Sequence, residues 1–276
     1  MLTTRESDWL AAQPYWDTAA RTYERDFSST LIGQTRREAV WKDLDALFYP
    51  GQRIIELGCG TGIDALHLAQ RGIRVLACDL SPAMVEIARQ RLGATAFRDA
   101  VEFRVLANEE VGRLLPEGPF DGAFSNFASL NCTSDLPSVA ADLAGLLRPE
   151  ASLLTSMIGR FVPWEIAWRL LHREPRRAFE RFKRGVIREV EGGTVRVRYL
   201  GVSQIAHAFA PNFLLRRWRG IGIAVPPSYL EHWALRFPDT IRSLADLDDR
   251  IGRWPAFRRM ADAFVLELKR SGSHNG

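Results

Sequence analysis

The chain has no hydrophobic run long enough to cross a membrane. None of its 276 residues belongs to a stretch that approaches the ~20 apolar residues of a bilayer span. The first residues, MLTTRESDWLAAQPYW, contain two acids and no long apolar stretch, so we do not expect a signal peptide. The sequence therefore predicts a protein without a transmembrane segment.

Cysteine is scarce as well. Cys59, Cys78 and Cys132 are widely spaced and odd in number, which argues against a disulfide framework. We interpret them as reduced thiols of a cytoplasmic protein. No Cys or His pair has the spacing of zinc ligands, so we predict no metal site.

Net charge is low, with a formal value of +4 at pH 7. Hydrophobic residues make up 46% and charged residues 25%, which fits an ordinary globular protein with a sizeable core. So weak a positive balance, without a separate basic module, favours a small-molecule partner over nucleic acid. The oligomeric state is left open.

Short apolar runs alternate with helical patterns between residues 51 and 159. Strands are predicted at 53–57, 73–79, 101–106, 120–127 and 151–158, and helices at 62–72, 81–92 and 135–147. Parallel strands need crossover connections of this length, so the pattern predicts a doubly wound, mainly parallel α/β sheet. Ligands of such sheets bind beyond the carboxyl ends of the strands.

The flanking regions follow a different pattern. Residues 1–50 are predicted to form a helical lid, and 51–159 the ligand-binding core. Residues 160–200 are interpreted as an inserted cap, helical with a break at Pro175 and then a hairpin turning at Gly192–Gly193. Residues 201–276 supply two further strands that complete a seven-stranded sheet.

The most informative stretch is ELGCGTGID, residues 56–64. A dinucleotide-binding loop needs a third glycine where this chain has Ile63. A P-loop needs a lysine followed by Ser or Thr, and the stretch has no lysine. The spacing therefore excludes both common phosphate-binding loops.

Acidic residues indicate which ligand fits instead. Glu56 would repel a pyrophosphate but suits a positively charged group. The helix that begins at Gly62 offers free amides to a carboxylate. Asp79 ends the second strand, where an acid can accept hydrogen bonds from ribose hydroxyls. We infer a nucleoside that carries both an ammonium and a carboxylate.

The segment IIELGCGTGIDALHLAQRGIRVLACDLSPAMVEIARQRL, residues 54–92, resembles the class I S-adenosylmethionine-dependent methyltransferases, particularly those that act on small molecules. The stretches FDGAFSNF and LLRPEASLL extend the similarity to about residue 158. The resemblance implies a Rossmann-like methyltransferase fold and S-adenosylmethionine as cofactor. It does not indicate the acceptor.

The resemblance also implies roles for individual residues. Those expected along the amino acid and the sulfonium of the cofactor are Gly58, Cys59, Gly60 and Gly62. Glu56 is expected to orient the loop or meet the ammonium, and Asp79 to hold the ribose. Leu80 and Met84 are expected to flank the adenine. Many members have a Gly-Asp pair near the adenine amino group, whereas this chain has Leu106 and Ala107. Asn108 or Glu109 would take over that contact.

Polar residues after the fourth strand lie where donor and acceptor should meet. Ser125, Asn126 and Asn131 are candidates for contact with the cofactor or the acceptor, or alternatively for capping a loop. Some family members that methylate planar amines carry Asn-Pro-Pro-Tyr here, and this chain lacks both prolines. That absence argues against the same chemistry.

Aromatic residues near the amino terminus have roughly helical spacing. Tyr15 and Tyr23 are expected to approach the cofactor from the lid, and Tyr23 and Asn131 are our candidate catalytic residues. The alternative is an aromatic stripe that packs on the sheet.

The cap is rich in arginine. Its basic residues are Arg160, Arg169, Arg173, Arg176, Arg177, Arg181, Lys183, Arg184, Arg188, Arg196 and Arg198. We predict that Arg160, Arg196 and Arg198 contact the acceptor, which an arginine suits if the acceptor is anionic. The basic residues can equally form a solvated helix face or rest on an anionic membrane surface.

These patterns predict a methyltransferase that acts on a small molecule. Methyl transfer from a sulfonium is an in-line displacement, so a general base is needed only if the acceptor must first lose a proton. One alternative is an enzyme that uses the same cofactor but releases methylthioadenosine. Another is a non-catalytic protein that binds the cofactor.

Overall fold

The computed structural model describes residues 4–183, 185–190 and 192–272, with side chains from Trp9 onward. Arg184, named above in the cap, lies outside the described residues. The α-helices of the described chain are α1 Thr4–Tyr23, α2 Leu31–Leu47, α3 Ile63–Gln70, α4 Pro82–Gly93, α5 Ser129–Cys132, α6 Leu136–Leu146, α7 Pro163–Leu171, α8 Pro175–Ala178, α9 Val202–Phe209, α10 Glu231–Arg236 and α11 Pro238–Ile251. No helix in this part of the chain is long and apolar enough to span a membrane.

Seven strands form one sheet and two more form a separate hairpin. The strands are β1 Arg53–Leu57, β2 Arg74–Asp79, β3 Val101–Val105, β4 Phe120–Ser125, β5 Leu147–Ile158, β6 Val186–Val190, β7 Gly193–Val197, β8 Phe213–Ile221 and β9 Ala263–Arg270. The large sheet has the order β3-β2-β1-β4-β5-β9-β8, in which β9 is antiparallel to both of its neighbours. The predicted doubly wound, mainly parallel seven-stranded sheet is confirmed.

Each face of the sheet is covered by helices because its strands are apolar on both sides. Leu57 and Leu153 pack with α6 and α9 on one face. Ile54 and Phe124 pack with α2, α3 and α4 on the other. The carboxyl ends of β1, β2 and β4 therefore open at one edge between two well-packed layers.

Only part of the predicted lid covers that edge. Helix α1 crosses it, whereas Val40 and Leu44 of α2 are fully buried against the sheet. A π-helical turn, Glu24–Ser28, and the N-cap Thr30 separate the two helices. The sequence pattern of residues 1–50 did not distinguish a roof helix from a core helix.

Two strand boundaries differ from the sequence prediction. Strand β4 ends at Ser125 rather than at residue 127, because Phe127 and Ala128 adopt left-handed backbone angles with φ of 44° and 70°. Strand β5 begins at Leu147 rather than at residue 151, since Leu147 already pairs with Phe120 before a register shift. The first difference turns the chain where the site is built.

The inserted cap divides into a helical part and a hairpin. The predicted helix breaks before Pro175, giving α7 and the short α8. The hairpin of β6 and β7 lies against α1 rather than joining the sheet. A Cβ added at Gly193 would lie 2.2 Å from the Tyr15 amide nitrogen, so glycine permits this close approach.

Candidate functional site

A cavity lies at the carboxyl ends of β1, β2 and β4, with α1 as its roof. The predicted residues that line it are Tyr23, Gly58, Cys59, Gly60, Asp79, Leu80, Met84, Asn108, Glu109 and Asn126. The structure thus brings together residues that are up to about a hundred positions apart in the chain. Their roles toward a ligand remain predictions.

The three glycines of the loop serve different purposes. Gly58, Gly60 and Gly62 all have positive φ, of 66°, 52° and 76°. A Cβ at Gly58 would lie 2.0 Å from Ser129 Oγ, and one at Gly62 would lie 2.8 Å from Ala88 Cβ. At Gly60 the nearest atom is Tyr23 Cε1 at 4.0 Å. Gly58 and Gly62 are therefore required by the packing of the protein itself, whereas Gly60 leaves its backbone open toward the cavity.

Asp79 is held in place by backbone amides. Its two oxygens accept hydrogen bonds from the amides of Gly60 at 2.8 Å and Ser81 at 2.9 Å. Burial raises the pKa of Asp79, and these two hydrogen bonds oppose the shift. Each carboxylate oxygen retains a further lone pair, so the side chain can still accept a ligand hydroxyl.

The Asp79 end of the cavity is apolar on two sides. Leu80 and Met84 form one wall, and Trp9 and Trp16 of α1 face it from the roof. Asn108 closes this end by donating hydrogen bonds to Ser129 Oγ and Thr133 Oγ1, both at 2.9 Å. Glu109 accepts from the amide and hydroxyl of Ser134. A flat aromatic ligand group can lie between such walls.

A buried polar cluster forms the opposite end. Arg37 of α2 pairs with Asp64 of α3 at 2.5 Å. Asp64 also accepts hydrogen bonds from Trp41 Nε1 at 2.7 Å and from Asn126 Nδ2 at 3.1 Å. Arg37, Asp64 and Asn126 line the cavity. Asp64 therefore joins α2 and α3 through the ion pair, and its hydrogen bond with Asn126 ties the carboxyl end of β4 to both helices.

Glu56 lies behind this cluster. It is fully buried, and neither carboxylate oxygen has a hydrogen-bond partner among the described residues. Burial raises the pKa of Glu56 well above its ordinary value, Asp64 raises it further, and Arg37 lowers it. Glu56 and Asp64 place two carboxyl groups and one cation, Arg37, at this end, so a positively charged ligand group here would favour the ionised form of Glu56.

Two acidic residues fasten the roof. Asp17 of α1 accepts hydrogen bonds from Ser81 Oγ and from the Ala83 amide at the start of α4. Glu24 accepts from Thr61 Oγ1 and pairs with Arg91 at 2.6 Å. The N-terminal segment is therefore attached both to the start of α4 and to the glycine loop.

An aromatic group lies where β4 ends. The ring of Phe27 is 4.8 Å from that of Phe127 and 5.7 Å from that of Tyr23, and Arg37 lies 4.6 Å over Phe127. Phe127 has a positive φ, a conformation that costs ~1–3 kcal/mol and often marks functional sites. Burial raises the pKa of Tyr23 to about 12, so its hydroxyl is protonated at neutral pH.

The two thiols that line the cavity are held in their protonated form by burial. Burial raises the pKa of Cys59 well above its usual value and that of Cys132 to about 12. A thiol in this state is a poor nucleophile. Cys59 therefore acts as a small residue within the loop.

Four predicted cofactor-contacting residues do not reach the cavity wall. They are Tyr15, Glu56, Gly62 and Ser125. Tyr15 stacks edge to face with Trp16, at 5.1 Å, and lies against the hairpin. Ser125 is fully buried beneath the sheet edge. Alternation along β4 directs its side chain to the face opposite that of Asn126.

The predicted acceptor-contacting residues also lie away from the wall. Asn131 is fully buried and bonds the backbone of Ile158 and of Arg198, which joins β5 to the hairpin. Arg198 donates to the carbonyl oxygens of Thr133 and Ser134. Arg160 donates to Phe182 O, and Arg196 is exposed on β7. The hydrogen-bonding groups of Asn131 and Arg198 are therefore committed to the scaffold, and Arg196 is exposed to solvent.

Several wall residues were missed by the sequence analysis. Arg37 and Asp64 are 27 positions apart, so no local pattern links them. The available signal was Asp64 in the first turn of α3, on the face that also carries Ala65 and Leu68. An acid on a buried face needs a charged or hydrogen-bonding partner. Trp9 and Phe127 gave no such signal.

Residues 54–150 match the family model described as a methyltransferase domain. The chain is 33% identical over 142 residues to the tRNA 5-carboxymethoxyuridine methyltransferase of Escherichia coli K12, covering 50% of this chain and 54% of that protein. It is 31% identical over 140 residues to the malonyl-[acyl-carrier protein] O-methyltransferase of Serratia marcescens, covering 51% and 47%. The chain thus spans about half the length of the curated relatives it matches.

Solved structures extend the likeness beyond this domain at the level of the fold. The DhpI–SAH complex has a TM-score of 0.58 at 15% identity and covers 97% of this chain and 98% of its own. CcbJ methyltransferase from Streptomyces caelestis has a TM-score of 0.57 at 16% identity, covering 86% and 90%. Both comparisons agree with the seven-stranded sheet and its flanking helices.

Proposed function

Because residues 54–150 form a class I S-adenosylmethionine-dependent methyltransferase domain, we propose that the chain methylates a small-molecule acceptor. The observation that carries the proposal is the cavity itself. An open glycine backbone, a fixed acid and an excess of buried carboxylates meet under an aromatic roof. This set of groups matches a nucleoside with an ammonium and a sulfonium.

The residues present fit S-adenosylmethionine. The buried carboxyl of Glu56 lies behind the loop without a partner, and the cofactor ammonium, if it lay there, would favour the ionised form of this carboxyl. Gly60 leaves room for the amino-acid portion, and Asp79 would accept the ribose hydroxyls. The adenine would lie between Leu80 and the roof tryptophans. The guanidinium of Arg37 also lines the cavity and would attract the cofactor carboxylate.

The cofactor supplies an electrophilic methyl group on a sulfonium. The protein's contribution is to orient the acceptor in line and to exclude water. Tyr23 keeps its proton at neutral pH, so it would donate a hydrogen bond or face the sulfonium rather than act as a base. Phe27 and Phe127 would keep the transfer region apolar.

A small acceptor suits the fastened roof. Asp17 and Glu24 attach the N-terminal segment to the start of α4 and to the glycine loop, so access is confined to what passes beside α1. A polymer would have to displace this helix. The cation that lines the cavity is Arg37, rather than the predicted Arg160, Arg196 or Arg198. Asp64 pairs with Arg37 and neutralises its charge.

A label-transfer experiment tests the proposal. The purified chain is incubated with S-adenosylmethionine labelled in the methyl group, together with either a low-molecular-weight cell extract or total tRNA. We expect label in the small-molecule fraction and S-adenosylhomocysteine as the nucleoside product. Label in tRNA would refute the small-molecule acceptor, and methylthioadenosine would refute methyl transfer. A thermal shift with S-adenosylhomocysteine but no product in either arm would favour the binding protein.

A further inference from the structure

The positive charge of the chain is concentrated in one part of the cap. We define the basic segment as residues 160–183, which carries seven cationic and three acidic residues. Its excess of four equals the formal charge of the whole chain, so the remainder is balanced. This segment includes α7 and α8.

The acids of the basic segment are already engaged. Glu165 pairs with Arg181 at 2.6 Å, Glu174 with Arg169 at 2.6 Å, and Glu180 with Arg188 at 3.0 Å. Within the described chain, four cations of the segment have no ion pair. Arg160 is half-buried and donates to Phe182 O, whereas Arg173, Arg176 and Lys183 are exposed. These exposed cations create a positive potential at the turn between α7 and α8 and at Lys183. This potential attracts anions.

Helix α7 turns its apolar side to the solvent. Glu165 and Arg169 face the body of the protein, where Arg169 lies 5.3 Å over the ring of Tyr229. Leu170 and Leu171 lie on the far side of the helix, and Leu171 is 78% exposed. No residue of this nine-residue helix is buried. Among the described residues, the exposed leucines of α7 therefore form an apolar surface that no other part of the protein covers.

Exposed aromatic rings continue the apolar surface. The rings of Phe161 and Phe179 each lie 6.3 Å from that of Phe182, and all three are exposed. Trp168 lies on the flank of α7 and is exposed as well. Aromatic rings and arginine are the side chains that favour the boundary between lipid headgroups and acyl chains.

We propose that the basic segment is a docking surface for an anionic lipid membrane. Leucine and aromatic side chains enter the headgroup layer, and Arg173, Arg176 and Lys183 contact lipid phosphates. Charge complementarity decides between this occupant and a second copy, because two copies would bring the same unpaired cations together. Arg181 hydrogen-bonds Gly159 O just after β5, so the surface is attached to the sheet edge that bears the cavity. The inference does not depend on the proposed reaction.

Vesicle sedimentation tests the proposal on the full chain. Vesicles of phosphatidylcholine alone are compared with vesicles that also contain phosphatidylglycerol, at low and high salt. We expect about tenfold stronger binding to the anionic vesicles, lost at high salt. The triple variant Arg173→Gln, Arg176→Gln, Lys183→Gln should remove that preference, and Leu171→Ser should weaken binding to both lipids.

Matched controls separate docking from bulk charge and from misfolding. Arg98→Gln, Arg113→Gln and Arg242→Gln remove the same charge from side chains that are each 72% exposed elsewhere. Leu214→Ser removes a leucine that is 56% exposed on β8. Both controls should bind like the wild type. Equal binding by the two triple variants, or no preference for anionic lipid, would overturn the proposal. So would a dimer in solution that Leu171→Ser dissociates.

Discussion

The glycine-loop region, residues 53–92, and the cap, residues 160–200, use charge in opposite ways. In the first, Asp64 and Asp79 are held by buried or backbone partners and fix the geometry of a cavity. In the second, Arg173 and Arg176 are exposed and unpaired within the described chain. Charge that positions a cofactor has to be buried and satisfied, whereas charge directed at a large partner has to stay accessible.

The largest difference between the two regions should come from removing one acid in each. Asp64→Ala leaves Arg37, which is 6% exposed, without its ion pair, so we expect a loss of about 3 kcal/mol in the free energy of unfolding. Glu174→Ala breaks a half-exposed pair in the cap and should lower the free energy of unfolding by no more than about 1 kcal/mol. Equal shifts in the two urea titrations would remove the distinction.

Glycine substitutions sharpen the comparison at the level of the backbone. Gly58 and Gly192 both have left-handed φ, but only a Cβ at Gly58 meets another atom, Ser129 Oγ at 2.0 Å. Gly192→Ala should cost about 1 kcal/mol from φ alone. Gly58→Ala should cost at least about twice that and abolish S-adenosylhomocysteine binding. Thermal unfolding and calorimetric titration measure both effects, and identical behaviour would show that the loop geometry is not required.

A smaller effect on stability should come from Tyr23 of α1, the helix that forms the roof of the cavity and contacts the cap hairpin. Burial raises the pKa of Tyr23 to about 12, from the ordinary value of 10.0. The folded state therefore retains this proton after the unfolded state has lost it, and stability falls as the pH rises from 10.0 toward about 12. Tyr23→Phe should flatten this decline while leaving the dependence below pH 10.0 unchanged. A decline of the same slope in the variant would assign it to another group.

Local pattern was enough to predict the sheet and to single out Gly60 and Asp79, which line the cavity. The glycine spacing, the Ser81 cap with Pro82 behind it, and Asp79 at a strand end all lie within one stretch of the chain. Each of these features is dictated by backbone geometry over a few residues. That is why Gly60 and Asp79 could be placed before the structure was known.

The rest of the site depends on contacts between distant segments. Arg37 meets Asp64 only because α2 packs under the sheet, and Asn131 is drawn into the scaffold because the hairpin passes beside it. Alternation along the predicted strand put Arg196 and Arg198 on one face, whereas β7 ends at Val197, and the pattern could not show which surface Arg196 meets. Short patterns could not show that the predicted acceptor-contacting residues lie away from the cavity wall.

Calorimetric titration of S-adenosylhomocysteine tests the central claim most directly. The account predicts saturable binding to one site per chain, and weakening by about tenfold or more in Asp79→Ala, which removes the carboxylate that we propose as acceptor of the ribose hydroxyls. Asp99→Ala, whose side chain is 94% exposed and outside the cavity, should bind like the wild type. Absence of binding, or equal affinity in Asp79→Ala and the wild type, would contradict the account.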